Sequence, residues 1–198
     1  MCDTAQVRDG ERDGETGDTL RERADVLQMQ GKLNEAMEKY EKALQITEEH
    51  LGAEHTSVGK TLNNMAGVLQ TRGEIDKAML LHEKALRITK KNLGSENAVV
   101  GAMLNNMAIV FKRQGNLDEA MAKYEEVLRI YNKTIGSEHA DVGDTLMNIG
   151  NVLRLQGKLD EAMEKYEEAL RIKKKTLGSE HPSFAKTLDN MKNCPSVL

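Results

Sequence analysis

The sequence predicts an all-α fold, a right-handed solenoid of antiparallel helix pairs, and three observations carry that prediction. Apolar residues recur at three- and four-residue steps, which gathers them into one stripe along a helix. The pattern returns at intervals of 42 residues. Glycine punctuates each return: Gly31, Gly73, Gly115 and Gly157 precede the long helices, and Gly52, Gly94, Gly136 and Gly178 follow them.

Composition agrees. The chain has 198 residues, of which 39% are hydrophobic, 30% charged and only 3% aromatic. So few aromatic residues speak against a β-sandwich, while abundant Ala, Glu, Lys, Leu and Met favour helices, where such side chains lose little rotamer freedom. A net charge of −4 gives no general attraction to nucleic acid or to an anionic membrane. No apolar run is long enough to cross a bilayer, and no signal peptide is evident, so a cytoplasmic location is expected. Cys2 and Cys194 stand at opposite ends and make no metal-ligand spacing; no disulfide is expected in a reducing compartment.

Residues 1–16 are polar and charged and read as a disordered tail. The repeat array is expected over residues 17–193, with pairs at about 17–50, 57–92, 99–134 and 141–176 and a capping helix at 182–193; residues 194–198 form a tail. In the first helix Leu20, Ala24 and Leu27 keep the stripe, but Arg23 stands where the next unit has Met65, as suits a wetter end. Its partner helix carries Leu33, Ala36, Met37, Tyr40, Ala43 and Leu44. The same stripe returns from Leu117 to Leu128 and from Leu159 to Leu170. Ala36, Ala78, Ala120 and Ala162 are small, where two helix axes must approach closely. The repeated methionines fall at helical spacing and read as core. In the last helix Lys192 replaces the small Ala, and Pro195 stops continuation. Neither helix of a pair can bury its stripe alone, so the units must stack.

No catalytic constellation is visible: there is no phosphate loop after a strand, no His-Glu-x-x-His and no nucleophile elbow. No cofactor is implied. His55, His139 and His181 recur 42 residues apart, too far to share a metal, and Asn97 in the same place suits a helix start. Asn64, Asn106, Asn148 and Asn190 occupy one repeated position. Asn disfavours a helix interior, so its repetition suggests either a hydrogen bond between neighbouring helices, the favoured reading, or an amide facing a ligand. Asn63, Asn105 and Asn151 better suit a ligand's backbone.

The set Leu62, Ala66, Leu69, Gly73, Ala78, His82 and Ala85 resembles the tetratricopeptide consensus, with Tyr40, Tyr124 and Tyr166 where His82 stands. The common repeat has about 34 residues. The longer unit here, with L-G-x-E-H before the helix and L-N-N-M-A within it, is similar to the repeats of kinesin light chains and nephrocystin-like proteins. The resemblance covers about residues 17–193. It implies a non-catalytic adaptor that holds an extended peptide on a concave face lined by the first helix of each pair, with motor or cytoskeletal proteins among its partners. A self-assembling structural array is the rival from another class. Kinesin light chains also carry a coiled coil, and no sustained heptads lie outside these repeats.

Opposite the apolar stripe, that face would show Lys60, Asn63, Gly67 and Gln70, then Asn105, Ile109, Lys112 and Arg113, then Met147, Asn151, Arg154 and Leu155. Lys112, Arg113 and Arg154 reverse the sign of an acidic chain, so a partner peptide with acidic residues is expected. Ile109, Met147 and Leu155 would offer an apolar anchor. Because no ligand cluster is legible, treatment with EDTA should leave helicity unchanged, as far-UV circular dichroism would show.

Overall fold

The computed structural model describes residues 16–194. Most of the expected N-terminal tail, Cys2 and residues 195–198 lie outside the described residues. Among the described residues there are nine helices and no strand: α1 (Gly17–Met29), α2 (Leu33–Leu51), α3 (Thr56–Thr71), α4 (Ile75–Leu93), α5 (Ala98–Gln114), α6 (Leu117–Thr134), α7 (Ala140–Leu155), α8 (Leu159–Thr176) and α9 (Pro182–Lys192). The fold is an all-α solenoid, as the repeat predicts.

Short turns make each pair antiparallel. After α1, the Lys32 N–H donates to the Leu27 carbonyl at 2.9 Å and the Gly31 N–H to the Gln28 carbonyl at 3.0 Å. This doubly bonded helix end requires a positive φ, which Gly31 supplies at 76°. The same bonds return at Glu74, Asn116 and Lys158. Between pairs the backbone differs from the left-handed residue that the sequence suggests. Gly52 has φ 86° and ψ 153°, an extended mirror-image conformation open in practice to glycine alone. The chain thereby leaves α2 extended and crosses to the next pair. There the side chains of His55, Asn97, His139 and His181 cap α3, α5, α7 and α9 by accepting a backbone N–H at 2.9–3.2 Å. The recurring histidines are caps.

Packing is most extensive within each pair. First helices also touch one another, α1 with α3, α3 with α5 and α7 with α9, whereas second helices make no comparable contacts. The array therefore curves with its first helices on the inside. Ala36, Ala78, Ala120 and Ala162 are fully buried. Facing helices come close at a second series that the sequence reading passed over, Gly17, Gly59, Gly101 and Gly143. A Cβ on Gly101 would lie 2.5 Å from the Tyr131 ring, and one on Gly59 would lie 2.9 Å from Thr89 Oγ1.

Outside the core, one carboxylate per inter-pair turn ties that turn to the long helix of the following pair. Glu54 accepts both guanidinium arms of Arg87 at 2.7 and 2.9 Å, with Lys91 at 3.3 Å. Those donors hold its carboxyl down to about 2. Glu96 with Arg129 and Lys133, and Glu138 with Arg171 and Lys175, repeat the arrangement. Such exposed pairs fix register more than they stabilise.

At the ends the repeat is incomplete. Val26 is 53% exposed, whereas Val68, Val110 and Val152 in the same place are fully buried. Cys194, expected in a tail, instead fills that valine position and is buried. Overfilling the close contact should cost about 1–3 kcal/mol. Ala120→Leu and Gly101→Ala are each expected to lower the melting temperature by several degrees, and Met79→Ala, at a half-buried site, by less. Equal melting temperatures for wild type and Ala120→Leu would place the contact elsewhere.

Candidate functional site

The inner layer of first helices forms the candidate site, and it is built from below by one ring per pair. Tyr40, His82, Tyr124 and Tyr166 occupy the same repeat position, each fully buried. Three of them reach polar groups on the first helices. The Tyr40 hydroxyl contacts Asp25 Oδ1 at 2.5 Å and Gln28 Oε1 at 2.9 Å. Tyr166 donates to Asn151 Oδ1 at 2.9 Å, and the Arg154 guanidinium acts on its hydroxyl. His82 lies 3.0 Å from Asn63 Oδ1 through Nδ1 and 2.7 Å from Gln70 Nε2 through Nε2. Because the Asn63 oxygen can only accept, Nδ1 carries the proton and Nε2 accepts from Gln70. Burial pushes His82 down to about 4, so its ring is neutral near pH 7. Tyr124 is the exception: its hydroxyl is buried without a hydrogen-bond partner among the described residues, because its first helix offers Ile109 and Lys112 in the places of Asp25 and Gln28.

The asparagines split as their positions suggest. Asn64 Nδ2 donates to Asp25 Oδ1 at 2.7 Å, Asn106 to Asn63 Oδ1 at 3.2 Å and Asn148 to Asn105 Oδ1 at 3.4 Å. Each bond crosses to the preceding first helix, so this series stitches the inner layer together. Asn63 and Asn105, proposed from sequence as ligand contacts, are the acceptors in that stitching and are half-buried between helices. Their oxygens are engaged, which leaves the amide hydrogens for a ligand.

Met147 needs correction. It shares the Asn63 and Asn105 position, which faces the next first helix, and α9 covers it. Met147 is only 4% exposed, with its sulfur 3.7 Å from Lys173 Nζ, so it belongs to the core and is not offered to the groove. Ile109 and Asn151 are half-buried, while Lys60, Arg113 and Leu155 are exposed.

The site residues fall into two zones. Toward α1, a recess of about 790 Å³ is lined by amides, Gln28, Asn63, Asn64, Gln70 and Asn106, with Asp25 and His82. Gln28, Asp25 and His82 were absent from the sequence-derived set. The repeat spacing could have found Gln28, since Gln28, Gln70, Lys112 and Arg154 form one row. Toward α9 the row turns cationic. Lys112 is half-buried, and its ammonium is pushed below its usual value by desolvation and by the nearby charges of Lys186, Arg113 and Arg154. Lys186 on α9 is a further member that the sequence did not reveal. Asp144, the acid noted among inner-face positions, is engaged by Lys173 Nζ at 2.6 Å and Ser183 Oγ at 2.8 Å. Among the described residues no three His, Cys, Asp or Glu side chains gather as a metal site, and no helix is long and apolar enough to cross a membrane.

A repeated helix pair with a concave layer of first helices defines a helical-repeat scaffold for protein interactions. The profile of the tetratricopeptide repeat family matches residues 15–91 and 99–175, and the chain belongs to that family. Its fold is similar to BtubC (BKLC) from P. vanneervenii, with a TM-score of 0.73 and 24% identity over 84% of this chain and 66% of that one. This chain thus spans less than two thirds of that protein. It is also similar to the nearly identical TPR-like repeats assigned to a kinesin light chain of Podosopora anserina, with a TM-score of 0.73 and 29% identity over 89% of this chain and 84% of that one. A point variant of those repeats gives 28% identity with the same TM-score and coverage. The repeats thus resemble those of kinesin light chains. No curated protein sequence matches the chain.

His82 supplies a test of the site's wiring. Its folded pKa lies below the ordinary 6.5, so the unfolded chain binds more protons between these values. The stabilising contribution is complete above pH 6.5 and is lost as pH falls toward 4. A shift of this size corresponds to a contribution on the order of 3 kcal/mol. His82→Tyr should flatten the loss of denaturation midpoint between pH 6.5 and 4 relative to wild type. Parallel curves would show that the imidazole is not held neutral by burial.

Proposed function

We propose that this chain is a cytoplasmic, non-catalytic adaptor whose concave groove takes an extended, acidic segment of a partner protein. The observation that carries the reading is the sign reversal along the groove. On an acidic chain, Lys112, Arg113 and Arg154 stand on successive first helices, and among the described residues no carboxylate acts on Lys112. Cations inside a concavity focus the field toward an anionic partner and speed its capture. The amide-lined recess toward α1 offers donors to a peptide backbone, through Asn63 and Asn105 among others. Asn151 lies beside the cations, Ile109 supplies apolar surface, and Lys60 extends the cationic character toward α3.

A narrower reading, a cargo adaptor of a microtubule motor like the kinesin light chains, is supported by the similarity to repeats assigned to that family. Motor or cytoskeletal proteins are then its partners. A self-assembling array has less support, because the outward face of α1 presents Arg23 where interior units carry Met65, Met107 and Ile149.

Charge reversal tests the groove. Lys112→Glu with Arg154→Glu is expected to weaken capture of acidic partner peptides at least tenfold and to reduce the salt dependence of binding, with helicity unchanged. Unaltered affinity and salt dependence in a folded double variant would refute the groove assignment.

A further inference from the structure

Lys112 and Arg154 hold the same repeat position on the neighbouring first helices α5 and α7, and further cations stand beside that row. Lys112 and Arg113 come from the end of α5, Arg154 from the end of α7 and Lys186 from the middle of α9. The charges acting on the Lys112 ammonium are those of Lys186, Arg113 and Arg154, and no carboxylate is among them. Elsewhere the chain treats its cations differently: each Arg of the outer ladder meets a carboxylate within 3 Å, and even the buried Lys173 has Asp144. Asp144 is occupied by that contact and by Ser183. Among the described residues the Nε of Arg154 and the hydroxyl of Tyr124 are buried without a hydrogen-bond partner.

Gathering like charges opposes folding, and desolvating one of them adds to the cost. A compact occupant with several charges and several acceptor oxygens compensates such a cluster better than a row of separate carboxylates. Guanidinium groups match phosphoryl oxygens in paired hydrogen bonds, and an ammonium adds a point charge. A phosphorylated side chain carries nearly two negative charges at neutral pH on three acceptor oxygens. The cluster lies on the inner, concave layer, which a polypeptide can thread and a flat bilayer cannot reach.

We propose that Lys112, Arg113, Arg154 and Lys186 form a subsite for a phosphoryl group carried by a protein segment lying in the groove. This rests on the groove reading above and adds the identity of the anion.

Three degenerate peptide pools, alike except for a fixed central phosphoserine, glutamate or serine in an acidic surround, distinguish the two ideas. They are titrated against the full chain at equal ionic strength. The phosphoserine pool should bind at least tenfold more tightly than the glutamate pool. Lys112→Gln with Arg154→Gln should abolish that difference, Lys186→Gln should reduce it severalfold, and Lys77→Gln on the outer layer should leave it intact. Equal binding of the phosphoserine and glutamate pools overturns the phosphoryl subsite while the acidic groove stands. If no acidic pool is retained, both fall. Retention by phosphatidylcholine vesicles bearing phosphoinositides, without retention of the phosphoserine pool, overturns the assignment to a protein segment. Heat stability reads the same cluster without any ligand. Lys112→Met should raise the melting temperature at low salt by relieving repulsion, and a fall there would show that the cations do not oppose one another.

Discussion

The close approach of the two helices in each pair is the constraint on which the remaining structure depends. Ala36, Ala78, Ala120 and Ala162 permit it on the second helices, and Gly17, Gly59, Gly101 and Gly143 permit it on the first. With the axes this near, the ring at the Tyr40 position passes beneath the first helix and meets its polar inner residues. Tyr40 thus touches Asp25 and Gln28, and Tyr166 touches Asn151. The floor of the groove is set by the core, so a change in packing between the helices of a pair is felt at the inner face.

The same constraint explains how one scaffold carries different chemistry along its length. The backbone positions of the four pairs are equivalent, while the residues placed on them are not. The row Gln28, Gln70, Lys112 and Arg154 passes from amides to cations without any change of architecture. The ring row follows it: His82 is neutral between two amides, whereas Tyr124 has no partner among the described residues. Local polarity in the groove is written in one position per repeat, and the outer ladder from Glu54 to Lys175 holds the register that aligns those positions.

Most of the fold was legible because it rests on repetition. A period of 42 residues, an apolar stripe and a glycine at each turn are local signals, and the helices follow them. The helix-start role read for Asn97 proved to be shared by His55, His139 and His181. The interior glycines repeat just as regularly, but a lone glycine inside a helix signals only weakness until a neighbour such as Tyr131 is seen against it. The site was less legible, because a face inferred from helical spacing does not say which edge meets the next helix. Met147 occupies such an edge and is buried under α9, and Asn63 and Asn105 are partly drawn into the joints between first helices. Lys186 escaped notice because its nearness to Lys112 depends on the curvature of the stack, which no single helix encodes.

The two ends of the groove differ in how completely their polar groups are satisfied, and that difference bears on where binding energy can come from. Toward α1, Asp25 already accepts from Asn64 and meets Tyr40, and His82 has both nitrogens engaged. A ligand there must share or displace bonds that the protein makes with itself, so its net gain is small. Toward α9, Arg113, Arg154 and Lys186 act on Lys112, and among the described residues no carboxylate does. An anion arriving there breaks no internal ion pair and removes an existing repulsion. Although Arg113 also donates to the Gln70 carbonyl at 3.1 Å, Lys112 has no opposing charge among the described residues, and sites of binding are commonly where a structure tolerates such a deficit. On the proposed reading, the affinity of this groove originates toward α9, and the amide recess orients the segment that the cations attract.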